Sequence, residues 1–176
     1  MEKLSREEAT QLVLERCYGF ETQRMFVDWT DDGPVVHLPD AVEENPALRA
    51  RLSDPRSGEL PDPRDLCVLV PEPEWAGTRA VRNGSNHLMR SLGGEPFDWT
   101  MPMPYSWAPA PDLLGDPETF EELRTRYGIA VTGGGRAWTA SSTTRNRVTA
   151  GTREEAILLC ALLDEGVEVA GVEALA

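Results

Sequence analysis

The arginines are the residues whose distribution most suggests a binding chemistry. From Leu123 to Arg153 the chain has no Asp or Glu but carries six arginines. A second acid-free stretch, from Trp75 to Gly94, carries three more: Arg79, Arg82 and Arg90. The planar guanidinium group binds phosphate or carboxylate through two parallel hydrogen bonds. If the two stretches meet, they form an anion-binding patch, for which we select Arg124, Arg126, Arg136, Arg145 and Arg147. The alternative is ion pairing of these arginines with the abundant Asp and Glu.

An aromatic segment forms a second candidate surface. The stretch from Trp99 to Trp107 reads WTMPMPYSW. Alternate residues of an extended chain share one face, so Trp99, Tyr105 and Trp107 would line up with two methionines. The prolines make a central strand improbable. This face either packs into the core or forms an interaction patch, because Trp, Tyr and Met are enriched at interfaces.

Catalytic and metal-binding patterns are absent from the sequence. The two histidines, His37 and His87, have no metal-ligand spacing beside them, so we expect no metal and no cofactor. The run Gly133-Gly134-Gly135-Arg136 lacks the lysine-serine ending of a phosphate-binding loop and predicts a hairpin turn instead. The chain is therefore expected to be non-enzymatic, with an enzyme of unrecognised type left open.

The paired carboxylates do not identify a general acid–base pair either. Glu43-Glu44, Glu121-Glu122 and Glu154-Glu155 are predicted near helix starts or on solvent faces. Solvation and the helix dipole explain acids at such positions.

Composition narrows the class of partner. The chain has 176 residues and a formal net charge of −13. This charge argues against general nucleic-acid binding and against an anionic membrane surface. The apolar runs are too short for a membrane span, and the polar N-terminus does not resemble a signal peptide, which predicts a cytoplasmic protein. Cys17, Cys67 and Cys160 are predicted to be buried free thiols.

The elements that would position these residues are clearest near the C-terminus. Thr152 and Glu155 have capping-box spacing, and an unbroken apolar run covers 156–163, which predicts a buried central helix ending at Gly166. A similar cap, Ser5 with Glu8, begins a first helix. Strands are predicted over 24–29, 35–38, 66–70, 129–132 and 136–141, and a further helix over 116–128; residues 147–150 are expected to lead into the central helix.

The middle of the chain differs from both ends. All fourteen prolines lie between Pro34 and Pro117, so 40–94 is predicted to be a loop-rich insertion. The whole pattern predicts one α+β domain over 1–176, in which an antiparallel sheet is sandwiched between helical layers.

Several of these segments resemble the phage ABA-sandwich family. Leu12 to Phe20 (LVLERCYGF) is similar to the family's opening helix, and Pro104-Tyr105-Ser106 to the step before its middle helix. The helix over 116–128, the hairpin with Trp138, and TREEAILLCALL from Thr152 follow in the family's order. The resemblance covers 5–20 and 102–165 and departs at 40–94 and at 108–115. It implies a sheet between helical layers and a bacteriophage or prophage origin, but no catalytic residues.

These observations lead to three functional hypotheses. The first is a phage or prophage accessory protein that binds another protein, for example one of the host, through an acidic or aromatic surface. The second is a protein that binds a nucleotide or another phosphate-containing small molecule through the arginine-rich patch. The third is an enzyme of unrecognised type. Homo-oligomer formation is compatible with each.

Overall fold

The computed structural model describes residues 3–71 and 105–173. In chain order the helices are α1 (Arg6–Leu12), continued by a π-helical segment (Val13–Cys17), α2 (Pro39–Glu44), α3 (Pro46–Leu52), a 3-10 turn (Leu113–Gly115), α4 (Pro117–Arg126) and α5 (Arg153–Asp164). The strands are β1 (Thr22–Thr30), β2 (Gly33–His37), β3 (Asp65–Pro71), β4 (Tyr105–Pro109), β5 (Ala130–Gly134), β6 (Ala137–Ser141) and β7 (Arg147–Ala150). Trp99, His87 and the arginines of the stretch 75–94 lie outside the described residues.

The first sheet has four antiparallel strands in the order β2-β1-β3-β4. Its long strand β1 pairs with different neighbours along its two halves. Residues 22–25 pair with β3, whereas residues 26–30 pair with β2 on the other side. The sheet curls, so β2 also contacts β4.

The second sheet has three antiparallel strands in the order β5-β6-β7, and α5 packs against it. Thr152 accepts a hydrogen bond from the Glu155 N–H (3.2 Å) at the start of α5. All eight residues from Glu155 to Leu162 are buried. The prediction of a buried central helix is confirmed, since α5 also contacts α4 and the π-helical segment.

One continuous hydrophobic cluster joins the elements. It contains Val68 of β3, Leu14 of the π-helical segment, Leu123 of α4, Ala140 of β6 and Leu158 of α5. The α+β class with antiparallel strands is confirmed. The strands form two sheets rather than one, because β4 leads through the 3-10 turn into α4 before the second set of strands begins.

The described part of the segment 40–94 contains regular structure. Asn45 accepts hydrogen bonds from the N–H groups of Ala47 and Leu48 (both 3.1 Å), which caps α3. Strand β3 is an inner strand of the first sheet, and its Cys67 and Val68 are fully buried. This part of the segment therefore forms part of the first sheet and of the core, and is not only a surface insertion.

Two local predictions are corrected. Residues 147–150 do not simply lead into α5; they form β7, because Val148 and Ala150 alternate with exposed residues and pair with Ala140 and Trp138. Glu155 does not face solvent, since its side chain is buried and accepts a hydrogen bond from the Val172 N–H (3.2 Å). That contact joins α5 to the bridge between Leu4 and Val172, so Glu155 contributes to the core as well as lying near the start of α5.

The three cysteines are free and buried, as predicted. Within residues 3–71 and 105–173, no helix is long and apolar enough to cross a membrane.

Candidate functional site at the open edge of β1

The arginines selected from the sequence lie on α4, in the turn between β5 and β6, and beside the turn between β6 and β7. Arg124 forms an ion pair with Glu121 (2.8 Å), one turn earlier on α4. Arg153 at the start of α5 binds the other oxygen of the same carboxylate (2.5 Å). These two guanidinium groups hold the pKa of Glu121 below its usual range, through hydrogen bonds first and charge second. For Arg124, the predicted alternative of internal ion pairing therefore applies.

The remaining selected arginines lie on three different parts of the chain. Arg126 stacks over the Tyr18 ring, with 5.5 Å from guanidinium carbon to ring centre. Arg136 is exposed in the turn between β5 and β6. Arg145 and Arg147 are exposed beside the turn between β6 and β7, at the opposite end of the same sheet. Arg136 therefore lies away from Arg145 and Arg147, whereas Thr143 Oγ1 donates to the Tyr127 carbonyl (3.4 Å), which brings the turn before Arg145 next to the end of α4 that carries Arg126.

The carboxylate of Asp164 holds the turn that carries Arg145. The Asp164 Oδ1 atom, at the end of α5, accepts hydrogen bonds from Ser142 Oγ (2.8 Å), Thr144 Oγ1 (2.6 Å) and Asn146 Nδ2 (2.7 Å). Arg145 itself has φ of 71°, a left-handed conformation that is uncommon for arginine. Asp164 thus holds the turn that presents Arg145 and Arg147.

The aromatic segment is only partly described. Strand β4 covers its last residues, and β4 is an edge strand of the first sheet. Trp107 lies opposite Leu69 of β3 and is half-buried, so it is partly available to a partner. Trp99 lies outside the described residues, and for Tyr105 the structure describes the backbone in β4.

A groove of about 580 Å³ lies beside α1 and the outer half of β1. Trp29 forms one wall and is 69% exposed, an unusual position for the largest side chain. Arg6 of α1 and Asp112 also line the groove and are joined by hydrogen bonds from the guanidinium group to both carboxylate oxygens (2.8 and 2.9 Å). The other lining residues are Glu7, Thr10, Arg64, Asp65, Leu66, Pro109, Ala110 and Pro111.

The strand edge next to this groove has unpaired backbone groups. The Leu69 N–H donates to the Glu21 carbonyl (2.9 Å), so odd-numbered residues of β1 direct their N–H and C=O toward β3. The pairing of β1 with β2 gives the same result. Trp29 lies opposite Pro34, which has no N–H to donate, so the backbone groups of Trp29 do not face β2. The ladder with β3 ends at Met25. Val27 and Trp29 therefore direct their backbone groups toward a position that no strand occupies in the described part of the chain.

Two prolines explain why β3 stops there. Continuing the register of Met25 with Asp65 would place Pro63 opposite Val27 and Pro61 opposite Trp29. Neither proline can donate a ladder hydrogen bond. The chain turns away instead, and the Arg64 carbonyl accepts from the Arg24 guanidinium (2.6 Å). The sequence of residues 61–64 thus keeps β3 from pairing with this part of β1.

The charges around the open edge are mostly negative. Asp31 and Asp32 follow β1 directly, and Asp65 lines the groove; all three are exposed and form no ion pair within the described ranges. Arg64 is an exposed cation among them. The other charges of this region pair internally, namely Arg6 with Asp112 and Arg24 with Glu7. The edge therefore presents net negative charge around an exposed indole.

Cys67, next to the groove, does not provide a nucleophile. Burial raises the pKa of this thiol to about 11, and the negative charge of Asp65 adds to the shift. The thiol is therefore protonated at neutral pH, and it is also fully buried. Among the described residues, no group of three or more His, Cys, Asp or Glu side chains is arranged to hold a metal ion.

Trp29 and the open edge were not among the residues selected from the sequence. One signal for them exists there, because Pro61 and Pro63 have the alternate spacing that blocks one edge of a strand. The sequence does not show that these prolines would lie beside Val27 and Trp29. That requires the register between β1 and β3, whose paired residues are some forty positions apart in the sequence.

Comparison with known proteins gives no further identification. No known protein-family model matches the chain, nor does any curated protein or solved structure.

Proposed function

We propose that this protein is a non-enzymatic binding protein that recognises another protein through the groove beside Trp29. The single observation that supports this most is the exposed Trp29 next to backbone groups of β1 that have no strand partner among the described residues. Exposed tryptophans next to a concave surface are typical anchors of protein interfaces. The phage or prophage setting remains a prediction from the family resemblance.

Native mass spectrometry of the chain purified gently from its natural host tests this function. We expect a co-purified polypeptide with the wild-type chain and its loss with Trp29→Ala. Arg136→Ala, in the turn between β5 and β6 and not among the residues that line the groove, is the matched control and should retain the polypeptide. A chain that carries no polypeptide, or one that Trp29→Ala retains, would contradict the proposal.

A second candidate is a phosphate-containing ligand bound by Arg145 and Arg147. Its support is that both guanidinium groups are exposed, adjacent and without an ion pair among the described residues, in a turn held by Asp164. The test is thermal stabilisation of the chain by nucleotides. The double variant Arg145→Glu, Arg147→Glu should abolish that stabilisation while remaining folded, and a wild-type chain that nucleotides do not stabilise would exclude this candidate.

A further inference from the structure

We infer that the partner contributes an extended, basic segment that adds to the first sheet as a strand along Val27 and Trp29 of β1. This inference rests on the proposed function and specifies its geometry and the chemistry of the partner. It excludes a helical or flat partner surface as the main contact.

The hydrogen bonds come from backbone groups already in position. Val27 and Trp29 each direct an N–H and a C=O away from β2, at the spacing of alternate residues in a strand. An extended peptide satisfies such a row without any particular sequence. Because the four groups are held by the pairing of β1 with β2, the chain loses little conformational entropy when the peptide binds.

The edge differs from the other edges of the two sheets. Strands β2, β4, β5 and β7 are the edge strands of the two sheets, but the groove of about 580 Å³ and the exposed indole occur at the half of β1 that β3 does not cover. Natural proteins usually protect open strand edges with charges or prolines of the edge strand itself. In β1 the residues that direct their backbone outward are Val27 and Trp29, which carry neither protection.

The charge around the edge selects a basic occupant. Among residues 3–71 and 105–173, Asp31, Asp32 and Asp65 are exposed without an ion pair, and Arg64 is the exposed cation beside them. An arginine or lysine of the added strand would lie between these carboxylates and the face of the Trp29 indole, which attracts cations. An acidic segment, or a second copy of this chain with its own acidic edge, would be repelled.

Amide hydrogen exchange with a synthetic peptide tests the inference. The probe is a short peptide of alternating arginine and valine, added to the full chain and followed by NMR. We expect the Val27 and Trp29 amides to exchange at least about tenfold more slowly in its presence, as expected for new hydrogen bonds. The Asp28 amide, which faces β2, is the internal control and should change little.

Two N-methylated forms of the peptide separate strand addition from general attraction to an acidic protein. One form is methylated at its valine nitrogens and the other at its arginine nitrogens, so both have the same charge. Only alternate N–H groups of an added strand face β1, so one form should lose affinity by at least about tenfold and the other should retain it. Equal binding of the two forms would overturn the inference.

The remaining outcomes are also decisive. An arginine–valine peptide that does not bind, or that binds without protecting Val27 and Trp29, would overturn strand addition even if Trp29→Ala still releases the natural polypeptide. A peptide with glutamate in place of arginine that binds equally well would overturn the basic specificity. Sedimentation showing a dimer that Trp29→Ala disrupts would identify the occupant as a second copy and overturn the inference.

Discussion

Among single residues, Trp29 contributes most to the proposed function. Because it is exposed, we expect its substitution to reduce binding strongly and stability only slightly. Because 69% of its side chain is exposed, Trp29→Ala removes little buried surface. We expect a loss of stability of no more than about 1 kcal/mol, as for most surface substitutions. Affinity for the co-purified polypeptide should fall at least about tenfold, as for interface anchors.

Chemical denaturation and a binding titration on the same samples measure these two quantities. Val35→Ala is the matched control, because Val35 is also an exposed apolar residue of the hairpin but does not line the groove. A variant Trp29→Ala that unfolds at much lower denaturant would show that the tryptophan is structural, contrary to this account.

Asp164 is the residue that we expect to contribute most to local order in the second sheet. Its Oδ1 atom accepts three hydrogen bonds from the turn between β6 and β7. Asp164→Ala should lower the free energy of unfolding by about 2–3 kcal/mol, since hydrogen bonds to charged groups are worth more than neutral ones. Urea denaturation measures this loss. Asp62→Asn, at an exposed position with no ion pair in the described ranges, should change stability little, and equal losses would refute the role of Asp164.

At the scale of elements, Pro61 and Pro63 are predicted to keep β3 short. The double variant Pro61→Val, Pro63→Val restores both backbone donors, so β3 can extend opposite Val27 and Trp29. We expect slower amide exchange at those two residues and loss of the bound polypeptide. Pro55→Val, which lies in a turn before β3, is the control. Retained binding together with protected amides would show that the partner does not use this edge.

The sequence predicted the elements whose signals are local. The apolar run after Thr152 predicted α5, and the turn at Asp31–Gly33 predicted the hairpin of β1 and β2. Strand β7 was missed because it has only four residues, two of them polar. The burial of Glu155 was missed because its partner, the Val172 N–H, is distant in sequence and only the tertiary fold brings it near.

The candidate site could not be predicted for the same reason, because it depends on contacts between residues that are distant in sequence. The sequence showed which residues are arginine, but not that Arg136 and Arg145 lie at opposite ends of one antiparallel sheet. It showed Trp29 in a strand, but its exposure follows from where β3 ends. Both facts come from strand register, which hydrophobic periodicity alone does not specify when a strand changes neighbours along its length.

At the scale of the whole molecule, the buried thiols predict how stability depends on alkaline pH. Burial raises the pKa of both Cys17 and Cys67 to about 11, from an ordinary value of 9.0. Between these values the thiols ionise in the unfolded chain but not in the folded one. Their stabilising contribution is therefore complete below about pH 9 and is lost as pH rises toward 11, with a slope of at most about 1.4 kcal/mol per pH unit for each thiol.

Urea denaturation at a series of pH values from 8 to 11 measures this dependence. The double variant Cys17→Ala, Cys67→Ala is less stable at every pH but should lose stability more gradually above pH 9. Burial also raises the pKa of Tyr18 and Tyr127, and the charge of Cys17 adds to both shifts, so the double variant reports Cys67 together with Cys17 and its effect on these tyrosines. Parallel curves would contradict the assignment.

The net charge of −13 sets the long-range behaviour of the molecule. Such a charge speeds encounter with basic partners and slows encounter with acidic ones, and salt screens both effects. Asp31, Asp32 and Asp65 add local negative charge beside the one exposed tryptophan among the described residues, so attraction at long range and contact at short range favour the same site.

Site-specific photo-crosslinking in the natural host tests the central claim most directly. A photoreactive phenylalanine derivative replaces Trp29 in one protein and Arg136, in the turn between β5 and β6, in another. We expect irradiation to attach a polypeptide at position 29 and none at position 136, with the attached residues lying in an extended, basic segment of that polypeptide. Equal attachment at both positions, or attachment at position 136 alone, would contradict binding at the open edge of β1.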